Sequence, residues 1–133
     1  MANFGNDLEL ALNAKLYNGG HFVYSSELAA LLQLCEEHQS LHKAARMLQV
    51  SYRRALQMVR SAEEGFGQQI LYKAIGGLGG GGSCLTEFGL KLTRGYAQME
   101  RDLTTFAAQR WQEIFPGTRA RAIFPGPKQK DPL

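Results

Sequence analysis

The side chains best equipped for recognition chemistry fall in one short stretch, where Arg53, Arg54, Gln57 and Arg60 follow Ser51 and Tyr52. Spacings of four and three residues put Arg53, Gln57 and Arg60 on one face of a helix, while Ala55, Leu56, Val59 and Ala62 take the opposite face. A guanidinium donates two hydrogen bonds to guanine O6 and N7, and a Gln amide pairs bidentately with adenine. Ser51, Tyr52, Arg53 and Gln57 lie toward the start of this helix, as base contacts would require. Lys43, Arg46, Arg54 and Arg60 suit phosphate contacts better, with Lys73 further along. A solvated helix face has the same composition, so the surrounding elements decide between the two. For Tyr52 both roles stay open, a DNA contact or a filler of the helix interface.

Other chemistries fit less well. No nucleophile and base occur in a recognisable context, and the acid pairs Glu36-Glu37 and Glu63-Glu64 suit helix surfaces, so no catalytic residue is assigned and no enzyme is expected. The run Gly77 to Ser83 lacks the lysine that a phosphate loop places before its Ser/Thr. Standing alone, its Gly-Gly-Gly-Gly-Ser would be a flexible linker, but its position between two short strands favours a turn. Cys35, His38 and His42 straddle a break at Gln39-Ser40 and have no fourth partner, so no metal site is assigned. Cys84 beside the glycine run suits packing better than redox sensing. No cofactor and no small-molecule ligand are expected.

The positioning elements follow from caps and periodicity. Asp7 to Leu12 alternates polar and apolar residues, and with Lys15 to Tyr17 it reads as an N-terminal hairpin, broken by Asn18-Gly19-Gly20. Ser25 or Ser26 caps a helix to about His38 with Leu28, Leu31, Leu32 and Cys35 inward. Ser40 caps a second helix through Leu48, and Ser51 caps a third to about Glu64. Two short helices joined by a tight turn, the second exposing Arg and Gln, have the shape that enters a major groove. Gly65 and Gly67 end the third helix, Ile70 to Ile75 is a strand, Gly76 to Gly82 a mobile loop, and Ser83 to Leu85 the return strand. Thr86 caps a long helix to Trp111 whose seam runs through Phe88, Leu92, Tyr96, Met99, Leu103 and Phe106. The fold class expected is therefore mainly α with small β elements: a winged helix-turn-helix with an N-terminal hairpin and a long C-terminal dimerisation helix.

At 133 residues the chain suits one domain, expected over residues 1–111 with its dimerisation helix at 86–111. Residues 112–133 form a basic, Pro-containing tail, expected to be partly disordered, above all Pro125 to Leu133. Two cysteines are too few for a disulfide framework. Without an apolar run of membrane length or a leader pattern, the chain is expected to be cytoplasmic and off the membrane. Net charge is only +3, yet Met1 to Glu37 carries one Lys against five acids, whereas Leu41 to Lys73 carries six Lys/Arg against two. The tail from Arg110 adds five basic residues against two acids. Two segments can thus face a polyanion.

The order of these features is more specific than any one of them. Ser40-Leu41-His42-Lys43-Ala44-Ala45, Val50-Ser51-Tyr52-Arg53-Arg54-Ala55, the stretch Gly76 to Ser83 and Leu85-Thr86-Glu87-Phe88-Gly89 together resemble the N-terminal DNA-binding domain of ModE-type molybdate-responsive regulators. The resemblance spans Leu28 to Leu103, and extends more distantly to LysR-type regulators. It implies double-stranded DNA as partner, a homodimer paired through the N-terminal strands and the long helix (Phe88, Leu92, Met99, Leu103, Phe106), and a link to molybdenum metabolism. Full-length members bind molybdate in separate C-terminal domains, which these 133 residues do not contain. Gln49 stands where the family favours Gly, and Lys73 is alone where family wings carry several cations. That sparse wing makes an interaction protein that has lost sequence-specific DNA binding the competing expectation.

Overall fold

Among the described residues a hydroxyl side chain starts each of four helices. Ser25, Ser40, Ser51 and Thr86 each accept a hydrogen bond from the backbone N–H three residues on, at 3.4, 3.1, 3.0 and 3.0 Å, satisfying a donor that would otherwise be orphaned. The computed structural model describes residues 8–74, 82–117 and 122–123. In order they form β1 (Leu10–Ala11), β2 (Leu16–Asn18), β3 (His21–Tyr24), α1 (Ser26–His38), α2 (Leu41–Met47), α3 (Tyr52–Phe66), β4 (Leu71–Ala74), β5 (Gly82–Leu85), α4 (Glu87–Ile114) and β6 (Ala122–Ile123). β2–β3 and β4–β5 are antiparallel, and β1–β6 is parallel. A three-helix unit followed by a hairpin and a long helix is a winged helix-turn-helix.

The hairpin differs from the sequence reading in its position. Its strands are β2 and β3, and Gly19 and Gly20 make the turn, with φ of 58° and 87°. Two successive positive φ values match the twist of a hairpin, and glycine reaches them without a Cβ clash. The Gly-Gly pair read as a break is therefore the turn itself. Leu10–Ala11, expected in that hairpin, pairs instead with Ala122–Ile123 in the tail expected to be irregular. Helix α4 also runs on to Ile114, past the expected end at Trp111. Pro125 to Leu133 and the loop tip from Ile75 to Gly81 lie outside the described residues.

The core follows the helical spacings. Leu28, Leu31, Leu32 and Cys35 of α1 meet Leu41, Ala44 and Ala45 of α2, Ala55, Val59 and Ala62 of α3, and Val23, Tyr24, Ile70, Leu85 and Tyr96. Alanines on the facing sides of α2 and α3 let the two helices approach closely. Burial, with Cys84 nearby, pushes the Cys35 thiol up to about 11, so it stays an unreactive packed group. No helix among the described residues is long and apolar enough to cross a membrane.

Tyr24 and Tyr96 tie β3 to α4 with ring centroids 4.8 Å apart, and the Tyr96 hydroxyl donates to the Ala14 carbonyl at 2.7 Å. Burial raises both phenols to about 12, with the Glu100 carboxylate adding to the effect. The Tyr24 and Thr93 hydroxyls lie near each other, yet neither makes a hydrogen bond of good geometry. A folded pKa raised above the unfolded value near 10 stabilises the fold fully below pH 10, and that contribution is lost as pH rises toward 12. Alkaline titration should therefore unfold the protein between pH 10 and 12, with tyrosinate absorbance from these two rings appearing only as it unfolds. Tyr24→Phe should remove part of that late signal without lowering stability at neutral pH, because it deletes an unpaired buried hydroxyl. If all five tyrosines ionise together in the folded state, the buried pair is misplaced.

Candidate nucleic-acid interface

The turn between α2 and α3 sets the pose of the exposed α3 face. Gln49 is left-handed, with φ 58°. The Gln49 N–H reaches the Arg46 carbonyl at 3.1 Å and the Val50 N–H reaches the Ala45 carbonyl at 3.0 Å, a Schellman closure of α2. Ser51 then caps α3 after two linking residues. Neither α2 nor α3 has an acidic residue in its first turn, so the partial positive charge of each N-terminus is uncompensated.

The α3 surface presents Arg53, Gln57 and Arg60 together, all exposed, with Ser61 and Glu64 continuing the same shallow trough. Ser51 is exposed, and its hydroxyl accepts the Arg54 N–H as the cap of α3. Lys43 and Arg46 are exposed on α2. Arg54 is exposed too, and its guanidinium pairs with Glu27 of α1 at 2.9 Å. Tyr52 is half-buried against the core, and its ring lies 3.5 Å from that of His42, bridging α2 and α3. Of the two roles open for Tyr52, the structure displays the interface one. The potential metal group is drawn apart in function: the Cys35 thiol faces the Ser83 carbonyl at 3.8 Å, whereas the His42 ring stacks on Tyr52.

The wing is fastened to α3 by groups that sequence spacing does not reveal. Glu63 of α3 accepts the Ile70 N–H at 2.8 Å and the Leu71 N–H at 3.3 Å through one carboxylate oxygen. The Thr86 hydroxyl donates to the Gln69 carbonyl at 2.6 Å and the Thr86 N–H to the Ile70 carbonyl at 2.8 Å, locking α4 to the same corner. On the other edge the Ser83 N–H donates to the Gln39 carbonyl at 3.0 Å. A Cβ on Gly82 would come within 2.5 Å of that carbonyl, so the close approach requires glycine. Lys73 is exposed on β4 and shares a cleft with Arg60.

On α4 the apolar seam divides. Phe88 packs edge-on against Phe66 at 5.3 Å, and Leu92 is half-buried against the core. Met99, Leu103 and Phe106 are 55%, 40% and 63% exposed, so this part of the seam faces outward.

No family model matches the sequence, and no curated protein matches it. Among solved structures the chain is similar to the crystal structure of ArgP from Mycobacterium tuberculosis, with a TM-score of 0.45 and 16% identity over 77% of this chain. The chain spans 44% of the length of that protein.

The left-handed Gln49 yields a direct test. An L-residue in this conformation costs about 1–2 kcal/mol, and glycine returns part of the gain through its unfolded-state entropy. Gln49→Gly should therefore stabilise the fold by about 0.5–1 kcal/mol and raise Tm by roughly 2–5 °C. Gln49→Val should destabilise it. Thermal unfolding of the three proteins checks the order, and a Gly variant no more stable than the parent would contradict the assigned turn.

Proposed function

We propose that this chain is a DNA-binding transcriptional regulator of the winged helix-turn-helix type, acting in the cytoplasm as a homodimer. The observation that carries the reading is the outward face of α3, where Arg53, Gln57 and Arg60 stand together on a helix positioned by a two-residue turn. In this reading α3 enters the major groove, and Arg53 and Gln57 contact base edges. Lys43, Arg46, Arg60 and Lys73 hold phosphates, and Arg54 contributes once it exchanges Glu27 for a phosphate oxygen. The resemblance to ModE-type regulators points to genes of molybdenum metabolism as the regulated set. A second reading, an interaction protein without sequence-specific DNA binding, is favoured by Glu64 on the recognition face and by the engagement of Arg54 with Glu27.

A duplex-binding assay separates the two. Neutralising each phosphate contributes a salt slope of about −0.9, so affinity should fall by orders of magnitude between low and moderate salt. Arg53→Ala or Gln57→Ala should relax sequence preference, with a loss of about 1–3 kcal/mol on the preferred site, whereas Lys43→Ala should weaken all duplexes about equally. Selection from random duplexes that enriches no sequence, with negligible affinity at low salt, would support the interaction-protein reading.

The dimer is tested on its exposed seam. Because Leu103 is 40% exposed in the isolated chain, Leu103→Glu leaves the core intact. Sedimentation should show a dimer for the parent and a monomer for the variant, which should also lose high-affinity binding to paired half-sites. A parent protein that sediments as a monomer at micromolar concentration would remove the dimer from the proposal.

A further inference from the structure

Between α3 and the wing lies a cleft of about 290 Å³, near the lower end of the range for small-molecule sites. Its lining combines three kinds of surface. Leu56, Val59 and Leu71 supply aliphatic area, all buried or half-buried. Tyr52 and Tyr72 add aromatic area, Tyr72 being 51% exposed. Arg60 and Lys73 bring two exposed cations, and neither has an ion-pair partner among the described residues. The acid at the cleft, Glu63, is already committed, accepting the Ile70 and Leu71 N–H groups.

We propose that this cleft binds a small amphipathic anion, an aromatic monocarboxylate, whose ring covers the aliphatic and tyrosine surfaces while its carboxylate pairs with Arg60 and Lys73. The composition selects this class. A bare phosphate satisfies the cations but leaves the apolar lining in water, and the Glu63 charge opposes a dianion. A neutral apolar ligand leaves the cations unused. A carboxylate matches the guanidinium bidentately, and the ring gains from burial against Leu56 and Leu71. The sequence alone led to no expected small ligand, because the cleft joins residues from two elements that only folding brings together. The regulatory consequence rests on the DNA-binding reading above. Arg60 and Lys73 are assigned there to phosphates, so a bound carboxylate competes with the duplex for the same two cations and weakens its binding.

The test begins without DNA. Benzoate is titrated into the full chain at constant ionic strength and followed by amide NMR, with benzyl alcohol and inorganic phosphate as controls. Saturable shifts are expected around Val59 to Glu63 and Leu71 to Lys73, with Kd on the order of 1 mM for a ligand of this size. Both controls should bind at least about tenfold more weakly, and Arg60→Gln and Lys73→Gln should each weaken benzoate about fivefold or more while preserving the fold. Shifts that fail to saturate, phosphate binding equal to benzoate, or indifference to both substitutions would overturn the site. Saturable benzoate binding by a chain with no affinity for duplexes would leave the site standing and fail the regulator reading. Salt-dependent duplex binding with no benzoate binding would fail the site alone.

Discussion

Helix α3, the wing and helix α4 all meet at the backbone of Ile70, which is fully buried. Its N–H is held by the Glu63 carboxylate of α3, and its carbonyl receives the Thr86 N–H at the start of α4. A buried peptide group must have partners for both its donor and its acceptor. Here the partners come from the two helices whose relative pose the fold has to define. Charge-assisted bonds to Glu63 are stronger than neutral ones, so this acid of α3 serves as an internal fastener. The corner converts a helix followed by a hairpin into a rigid unit, since any tilt of β4 relative to α3 would strand one of these groups.

Charge on this molecule is sorted by element. α1 supplies acids that reach its neighbours, Glu27 to Arg54 of α3 and Glu36 to Arg94 of α4 at 3.2 Å. These side chains are largely exposed, so each pair contributes little to stability. Their effect is on orientation: α1 anchors one cation of α3 while Arg53, Gln57 and Arg60 stay open to solvent. The N-terminal turn of α3 thus contains one arginine held by a carboxylate, Arg54, and one exposed to solvent, Arg53.

The helices and the wing were legible in the sequence because their signals are local. Ser25, Ser40, Ser51 and Thr86 announce the four starts, and apolar residues at three- and four-residue steps define the buried faces. Gln49 stood out only because the resembling family favours Gly at that corner, and its left-handed backbone is a finding of the structure. What escaped was either ambiguous or distant. Asn18-Gly19-Gly20 can end one strand or turn between two, and the alternation of Asp7 to Leu12 was too short to arbitrate. At the candidate site Lys43, Arg46, Arg53, Arg54, Arg60 and Lys73 are exposed on α2, α3 and β4. The Arg54–Glu27 pair, the His42–Tyr52 stack and the Glu63 bonds join residues whose proximity exists only after the chain has folded. The seam of α4 shows the same limit, since periodicity names the apolar stripe but not the point where core gives way to solvent between Leu92 and Met99.

The parallel pairing of Leu10–Ala11 with Ala122–Ile123 closes almost the whole described chain into a ring. Closing so long a loop carries a large entropic cost, and two residues per strand offer few bonds to offset it. This seam is therefore expected to form last, after the helices have assembled through contacts closer in sequence, and to open first under native conditions. Its opening would leave the capped helices and the Ile70 corner intact. The protein thus has a weak clasp around a strong body, and breathing at the clasp can proceed without disturbing the face that carries Arg53 and Gln57.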